Sequence, residues 1–218
     1  MTSEPGNHAI LLAASYPPRS YHEKADSHEI AAAVKALAGA VFQRGWTLVF
    51  GGHPTISPLI LMIAREYDRR NRVVIYQSRY FTNHIGPATR ALLSEHYGEI
   101  VEVPNHPSEP PPAAGERLDP TRCPLSLALM RESMIKHPGI AGMVLIGGDT
   151  GVRQELELFK LRHRELPVIP VGAPGGIARE LLQERRVPRM EPAISGALES
   201  SPHYLTLCTG IMRYLAPR

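Results

Sequence analysis

The chain is poor in the residues that hold proteins together covalently. It has two cysteines, Cys123 and Cys208, far apart and outside any Cys-x-x-Cys spacing. That excludes a disulfide framework or a cysteine-built zinc site and favours a reducing compartment. No apolar run approaches the roughly 20 residues that a helix needs to span a bilayer. The first residues, Met1 to Asn7, carry no basic patch followed by an apolar stretch, so no signal peptide is expected. Charge of one sign is also scarce: 24 Lys and Arg stand against 21 Asp and Glu, a net charge of +3 with ten histidines neutral. So mild an excess tolerates a phosphorylated ligand and argues against nucleic acid as a partner. The densest late basic cluster, Arg185, Arg186 and Arg189, reads as solvated surface. His22, His28, His84, His106 and His203 show no metal-ligand spacing, so neither a metal nor a cofactor is expected. The expected setting is cytoplasmic, with no membrane contact.

What is present is an ordinary globular composition, 43% hydrophobic and 21% charged over 218 residues. One core can serve a chain of this length without metal or disulfide support. Residues 1–7 read as a flexible N-terminus and residues 8–218 as one domain. The short continuous apolar run Ala9–Ala14 reads as a strand buried on both faces, and further strands are expected at Trp46–Phe50, Val73–Tyr76, Ile100–Val103, Gly142–Ile146 and Val168–Val171. Helices are expected from Asp26 or Ser27 to Arg44, and from Ser57-Pro58 with Leu59, Ile60, Met62 and Ile63 buried. Further helices are expected around Pro87–Tyr97, over Leu125–Lys136, Val152–Arg164 and Ile177–Gln183, and at Tyr204–Leu215 after an irregular stretch. Alternating strands and helices predict an α/β fold: a single Rossmann-like domain, its mainly parallel sheet covered by helices on both faces. Ligands of such folds sit at the carboxyl ends of strands. Residues 104–123 break the alternation, because Pro107, Pro110, Pro111, Pro112 and Pro120 forbid a regular element. This Pro-rich loop reads as a lid, a contact loop or a disordered segment.

Two strands end in glycine pairs, Gly51-Gly52 and Gly147-Gly148, each followed by a helix start. Glycine lets the backbone approach a ligand closely, and a helix N-terminus adds free N–H groups and partial positive charge, which suits phosphate. Neither pair continues into the Gly-Lys-Ser/Thr of a P-loop or a Gly-x-Gly-x-x-Gly fingerprint. The expected binding set is Gly51, Gly52, His53 and Thr55 in the first turn, and Gly147, Gly148, Asp149, Thr150 and Gly151 in the second. His53 reads either as a ligand contact or proton-transfer group or as a turn residue bonded to backbone. Asp149 and Thr150 read as ribose contacts or as a helix cap. Arg131 and Glu155 form the expected catalytic pair. They flank the fifth strand on helices that approach the same edge. An arginine keeps a neighbouring carboxylate ionised, and that carboxylate can stabilise an oxocarbenium-like centre or orient water. A plain helix-to-helix salt bridge has the same pattern.

The stretch from Ala128-Leu129-Met130-Arg131 to Glu155 resembles the SLOG superfamily, the LOG or lysine-decarboxylase-like fold. Its phosphoribohydrolase branch places an arginine helix, Met-x-x-Arg-Lys, before a strand and the motif Pro-Gly-Gly-x-Gly-Thr-x-x-Glu. Arg131 matches the family arginine in spacing; Gly147, Gly148, Gly151 and Glu155 match the glycines and the acid. Val49-Phe50-Gly51-Gly52 is similar to the family's earlier glycine turn, and the likeness runs from Ala9 to about Gly172. Ile146, the extra residue at Asp149-Thr150, Val152, Glu132 and His53-Pro54 depart from the pattern, as in divergent bacterial branches linked to antiviral conflict systems. The resemblance implies ligand contacts from Ser15, Tyr16 and Arg19 after the first strand, and a homodimer or larger homo-oligomer; Arg19 reads either as a phosphate partner or as a solvated loop arginine. It leaves three functions open. One is hydrolysis of the N-glycosidic bond of a nucleoside 5′-phosphate or related nucleotide, with Glu155 stabilising the ribosyl cation and Arg131 orienting it. Another is non-catalytic sensing of a nucleotide or ADP-ribose-derived messenger for a separate effector protein. The third, DNA binding like that of DprA, fits poorly with the small charge excess.

Overall fold

Six apolar segments pair into one wholly parallel sheet in the order β4-β3-β2-β1-β5-β6. The computed structural model describes residues 8–17, 25–110, 112, 119–184, 190 and 192–216. Residues 1–7, Arg19, His22, Pro111 and the arginines at 185, 186 and 189 lie outside them. The strands are β1 (Ala9–Ser15), β2 (Thr47–Gly51), β3 (Val73–Ser78), β4 (Glu99–Val103), β5 (Ile140–Gly147) and β6 (Val168–Val171). The helices are α1 (Ser27–Gln43), α2 (Ile56–Glu66), α3 (Pro87–Ser94), α4 (Pro124–Ile135), α5 (Thr150–Arg162), α6 (Gly176–Gln183), α7 (Pro192–Ser200) and α8 (Tyr204–Leu215).

The absence of polar alternation in β1, β2, β5 and β6 has a simple cause. Successive side chains point to opposite faces, and both faces are covered. Ile10 and Leu12 of β1 join the layer formed with α1, α2, α7 and α8, whereas Ala9, Leu11 and Ala13 join the layer under α4, α5 and α6. The domain is thus a single α/β Rossmann-like unit. Its strand order reverses between β1 and β5, the place where such sheets open a crevice at their carboxyl ends.

Three local features differ from expectation. Helix α2 begins at Ile56 with Thr55 as its N-cap and no side-chain cap bond; the Ser57 hydroxyl instead accepts the His53 N–H at 3.1 Å. Packing between neighbouring helices turns its buried arc toward Ile56, Ile60, Leu61 and Ala64, leaving Met62 42% exposed. Helix α7 lies in the stretch read as irregular. Its Gly196 and leading Pro192 weaken the helical signal, and tertiary contacts supply the rest: Leu198 is fully buried and its carbonyl accepts the Gly172 and Ala173 N–H groups. Finally, the described part of the Pro-rich segment is strapped to α4. Glu109 accepts the Leu125 and Ser126 N–H groups at 2.8 and 2.7 Å, and the His106 N–H donates to the Ser126 hydroxyl. A residue far back in the chain therefore caps α4, whose own N-cap residue Cys123 makes no side-chain bond.

The C-terminal helix is tied to α1 by the Tyr204 hydroxyl, which donates to Glu29 Oε2 at 2.6 Å. A hydrogen bond to a carboxylate of this kind contributes about 1.5–3 kcal/mol. Tyr204→Phe is expected to lower urea-unfolding stability by about 2 kcal/mol without changing the far-ultraviolet circular dichroism.

Candidate functional site

The crevice is built by register. Ser15 closes β1 directly opposite Gly147 of β5, and the Gly148 N–H donates to the Ser15 carbonyl at 2.9 Å. On the other side of β1, Gly51 lies opposite Tyr76, and the Gly52 N–H donates to the Tyr76 carbonyl at 2.8 Å. Both glycine turns expected from the sequence therefore flank the end of β1. Gly147 and Gly148 adopt φ values of +62° and +88°, which side chains resist. A Cβ on Gly147 would lie 2.7 Å from Ile30 Cδ1 and 2.9 Å from the Ser15 carbonyl oxygen.

A third turn escaped the sequence reading. Gly175-Gly176 follows β6 and packs on Gly147-Gly148: a Cβ on Gly176 would meet Gly147 backbone at 2.7 Å, and the Ile177 N–H donates to the Gly148 carbonyl at 3.1 Å. The signal was available, since it is another Gly-Gly pair between a strand and a helix.

In the first turn His53 is clamped. Its N–H donates to Ser57 Oγ, its carbonyl accepts from the Ser57 N–H, and its Nδ1 accepts from the Thr55 N–H at 3.2 Å. The Thr55 hydroxyl also lies 3.2 Å from Nδ1. With Nδ1 an acceptor, the neutral ring carries its proton on Nε2, an assignment inferred from these bonds. Burial lowers the His53 pKa, and the nearby charge of Asp149 opposes that shift. The Tyr16 ring stands 5.9 Å from the His53 ring, tilted by 48°.

In the second turn Asp149 is the N-cap of α5. Its Oδ1 accepts the Gly151 N–H at 3.0 Å, and its carbonyl accepts from Val152 and Arg153. Thr150 is exposed. One turn into α5, Glu155 faces Arg131 of α4, with Arg131 Nε 3.7 Å from Glu155 Oε1 and both side chains 14% exposed. That separation is an ion pair too long to be a hydrogen bond. Among the described residues three buried side-chain polar atoms lack a hydrogen-bond partner, Ser15 Oγ, Thr82 Oγ1 and Arg131 Nε, and two of the three belong to this crevice. Burial pushes the Glu155 carboxyl up to about 7, more than the opposing pull of Arg131; Asp149 adds to the rise. The expectation that Arg131 simply keeps Glu155 ionised is therefore corrected, because desolvation outweighs one guanidinium at this distance. Arg131 also touches the second turn: a Cβ on Gly151 would lie 3.3 Å from its Nη2.

Ser15, Tyr16, His53, Asp149, Gly151, Arg131 and Glu155 thus lie along one edge, while Arg19 falls outside the described residues. Tyr16 and His53 join through their paired rings, a link invisible in sequence spacing. Among the described residues no group of three His, Cys, Asp or Glu residues is placed to hold a metal, and no helix is long and apolar enough to cross a membrane. The model of the SLOG cluster3 family matches residues 20–108 and 117–199. The chain belongs to the SLOG cluster3 family. The matched residues of this SLOG protein include both glycine turns, Arg131 and Glu155. Among solved structures, the X-ray structure of TM1055, a structural genomics target, is similar over 81% of each chain, with a TM-score of 0.53 and 16% sequence identity. That likeness is one of fold. No curated protein matches the sequence.

Two measurements probe the crevice of this SLOG protein. The Glu155 pKa is raised on folding from 4.5 to about 7, so its contribution to stability is fully present below the unfolded value and is lost as pH rises through about 7. Glutamine does not titrate. The stability difference between the wild type and Glu155→Gln should therefore move by about 3 kcal/mol against the wild type across that window, read by urea unfolding at several pH values. A pH-independent difference would contradict the buried placement. Gly147→Ala should cost about 2 kcal/mol or more from backbone strain and contact with Ile30, read the same way.

Proposed function

We propose that this SLOG protein binds a nucleotide or nucleotide-derived ligand across the carboxyl ends of β2, β1 and β5 and hydrolyses its N-glycosidic bond. The observation that carries this reading is the Arg131–Glu155 pair. A structural salt bridge closes to hydrogen-bonding distance and draws the carboxyl pKa down. Here the pair stands at 3.7 Å, Arg131 Nε has no hydrogen-bond partner, and the carboxyl is raised to about 7. Perturbed groups in a crevice mark functional sites, and a carboxyl poised near neutrality suits proton transfer.

In this mechanism the bond between the anomeric carbon and the base nitrogen breaks, and its electron pair leaves with the base. The ionised Glu155 faces the developing ribosyl cation and takes a proton from the attacking water, whose oxygen bonds the anomeric carbon. The proton then passes to the departed base. Arg131 holds the carboxylate in place and balances its charge. The glycine turns let the backbone edge lie close to the ligand.

A sensor that binds without turnover is the second reading. The bonded amides of Gly52 and Gly148 support it, since they leave fewer backbone donors to follow charge as it develops. Incubation with nucleoside monophosphates, NAD and cyclic ADP-ribose isomers, followed by mass spectrometry, separates the two. The expected result is release of free base, reduced at least about 100-fold in Glu155→Gln, with a wild-type rate that climbs as pH passes about 7. Thermal stabilisation by an unconsumed ligand would support the sensor. Neither turnover nor stabilisation by any of these compounds would sink both.

A further inference from the structure

We infer that Gln77, near the end of β3, is the residue that reads the base of the ligand, and that it selects a base carrying a hydrogen-bond donor beside an acceptor. The inference rests on the nucleotide reading above and deepens it.

The glycine beneath Gln77 points to this role. Gly147 and Gly148 are required by positive φ, whereas the backbone of Gly52 is not in that region. The missing side chain of Gly52 makes room for Gln77 instead. A Cβ there would overlap Gln77 Oε1, and would lie 2.9 Å from the carboxamide carbon and 3.3 Å from Ile75 Cγ2. The carboxamide thus lies directly on the backbone of the first glycine turn. Among the described residues it has no hydrogen-bond partner. Its neighbour across on β4, Glu102, is bonded to Arg79 at 2.7 Å. Gln77 is half-buried, so its amide is held close to the turn and still open to a ligand.

The surroundings suit a flat, uncharged ring. Gln77 shares the α2 face of β3 with Val73 and Ile75, and Tyr16 packs against the same layer. His53 follows Gly52 and stands 5.9 Å from the Tyr16 ring. Its Nδ1 accepts from the Thr55 N–H, which leaves Nε2–H as its donor. The first turn therefore gathers an aromatic wall, one donor, and a carboxamide that both donates and accepts. All three groups are neutral, since burial disfavours the charged form of His53. Arg131 and Glu155 stand on helices of the opposite layer. A ligand lying over the ends of β1 and β2 thus meets Glu155 on one side and Gln77 on the other. A donor beside an acceptor is what the amino edge of adenine and the carboxamide of nicotinamide both present.

The test compares ligands that differ at that edge. AMP is set against purine riboside 5′-monophosphate, which lacks the amino group. Nicotinamide mononucleotide is set against nicotinic acid mononucleotide, whose carboxylate only accepts. Binding to wild type, Gln77→Leu and Gly52→Ala is measured by calorimetry, with circular dichroism confirming that each variant is folded. Wild type should favour the donor-bearing member of one pair by about tenfold, and the pair that shows it identifies the kind of base. Gln77→Leu should bring that ratio to about one. Gly52→Ala should do the same, because its Cβ displaces the carboxamide while Gln77 remains in the chain. A ratio that survives in either variant overturns the inference, since another group then reads the base. A wild type that discriminates within neither pair, or binds none of the four compounds, overturns it too. Base release by the wild type in any of these cases leaves the enzyme reading standing. A ratio abolished in both variants, with no base released from any of the four, supports Gln77 and counts against hydrolysis.

Discussion

The hydrogen bond from the Gly148 N–H to the Ser15 carbonyl, at 2.9 Å, is the constraint on which the site depends. It extends the β1–β5 ladder one step beyond the last paired residues, Ser15 and Gly147, at the point where strand order reverses. For the ladder to end there, the chain must turn sharply through positive φ at two successive residues, which explains two glycines in a row. The turn then delivers Asp149 to the start of α5 and Glu155 one helical turn further on. Gly175-Gly176 packs against the same backbone, so the carboxyl ends of β1, β5 and β6 form one continuous shelf. A side chain at Gly147, Gly148 or Gly176 would meet neighbouring atoms of that shelf at under 3 Å.

On the shelf sits an unresolved electrostatic competition. Burial favours a neutral Glu155, and Arg131 favours a charged one. At 3.7 Å the attraction falls short of compensating for lost water. Closing the pair to a hydrogen bond would relieve the conflict, and the two side chains, one on α4 and one on α5, stand 3.7 Å apart instead. The position of α4 is in turn maintained by Glu109, which caps it from the Pro-rich segment. Stability surrendered at a pair of this kind is what a binding or catalytic site requires, because a ligand can then provide the missing contacts.

Much of the fold was legible because its signals are local. Six strands, the glycine ends of β2 and β5, and the C-terminal helix each declare themselves within a few residues. Helix α7 did not, since Pro192 and Gly196 blur its pattern and its stabilising partner is the Gly172-Ala173 backbone, distant in sequence. The inner face of α2 was misassigned because neighbouring helices choose which arc is buried. Gly175-Gly176 carried a readable signal, a glycine pair between a strand and a helix, and its importance emerged only from contact with Gly147.

Residue order by itself determined the class of fold, the two turns that open the crevice and the pairing of Arg131 with Glu155, because period, glycine placement and motif spacing are properties of a one-dimensional string. Tertiary structure decided the rest. It set the protonation of Glu155, which depends on how much water remains around a carboxyl. It set the tautomer of His53, which depends on the Thr55 N–H. It also bonded the Gly148 N–H to the Ser15 carbonyl. The surroundings of Glu155 and of Gly148 are assembled from residues far apart in the chain, and no local pattern encodes dielectric or distance.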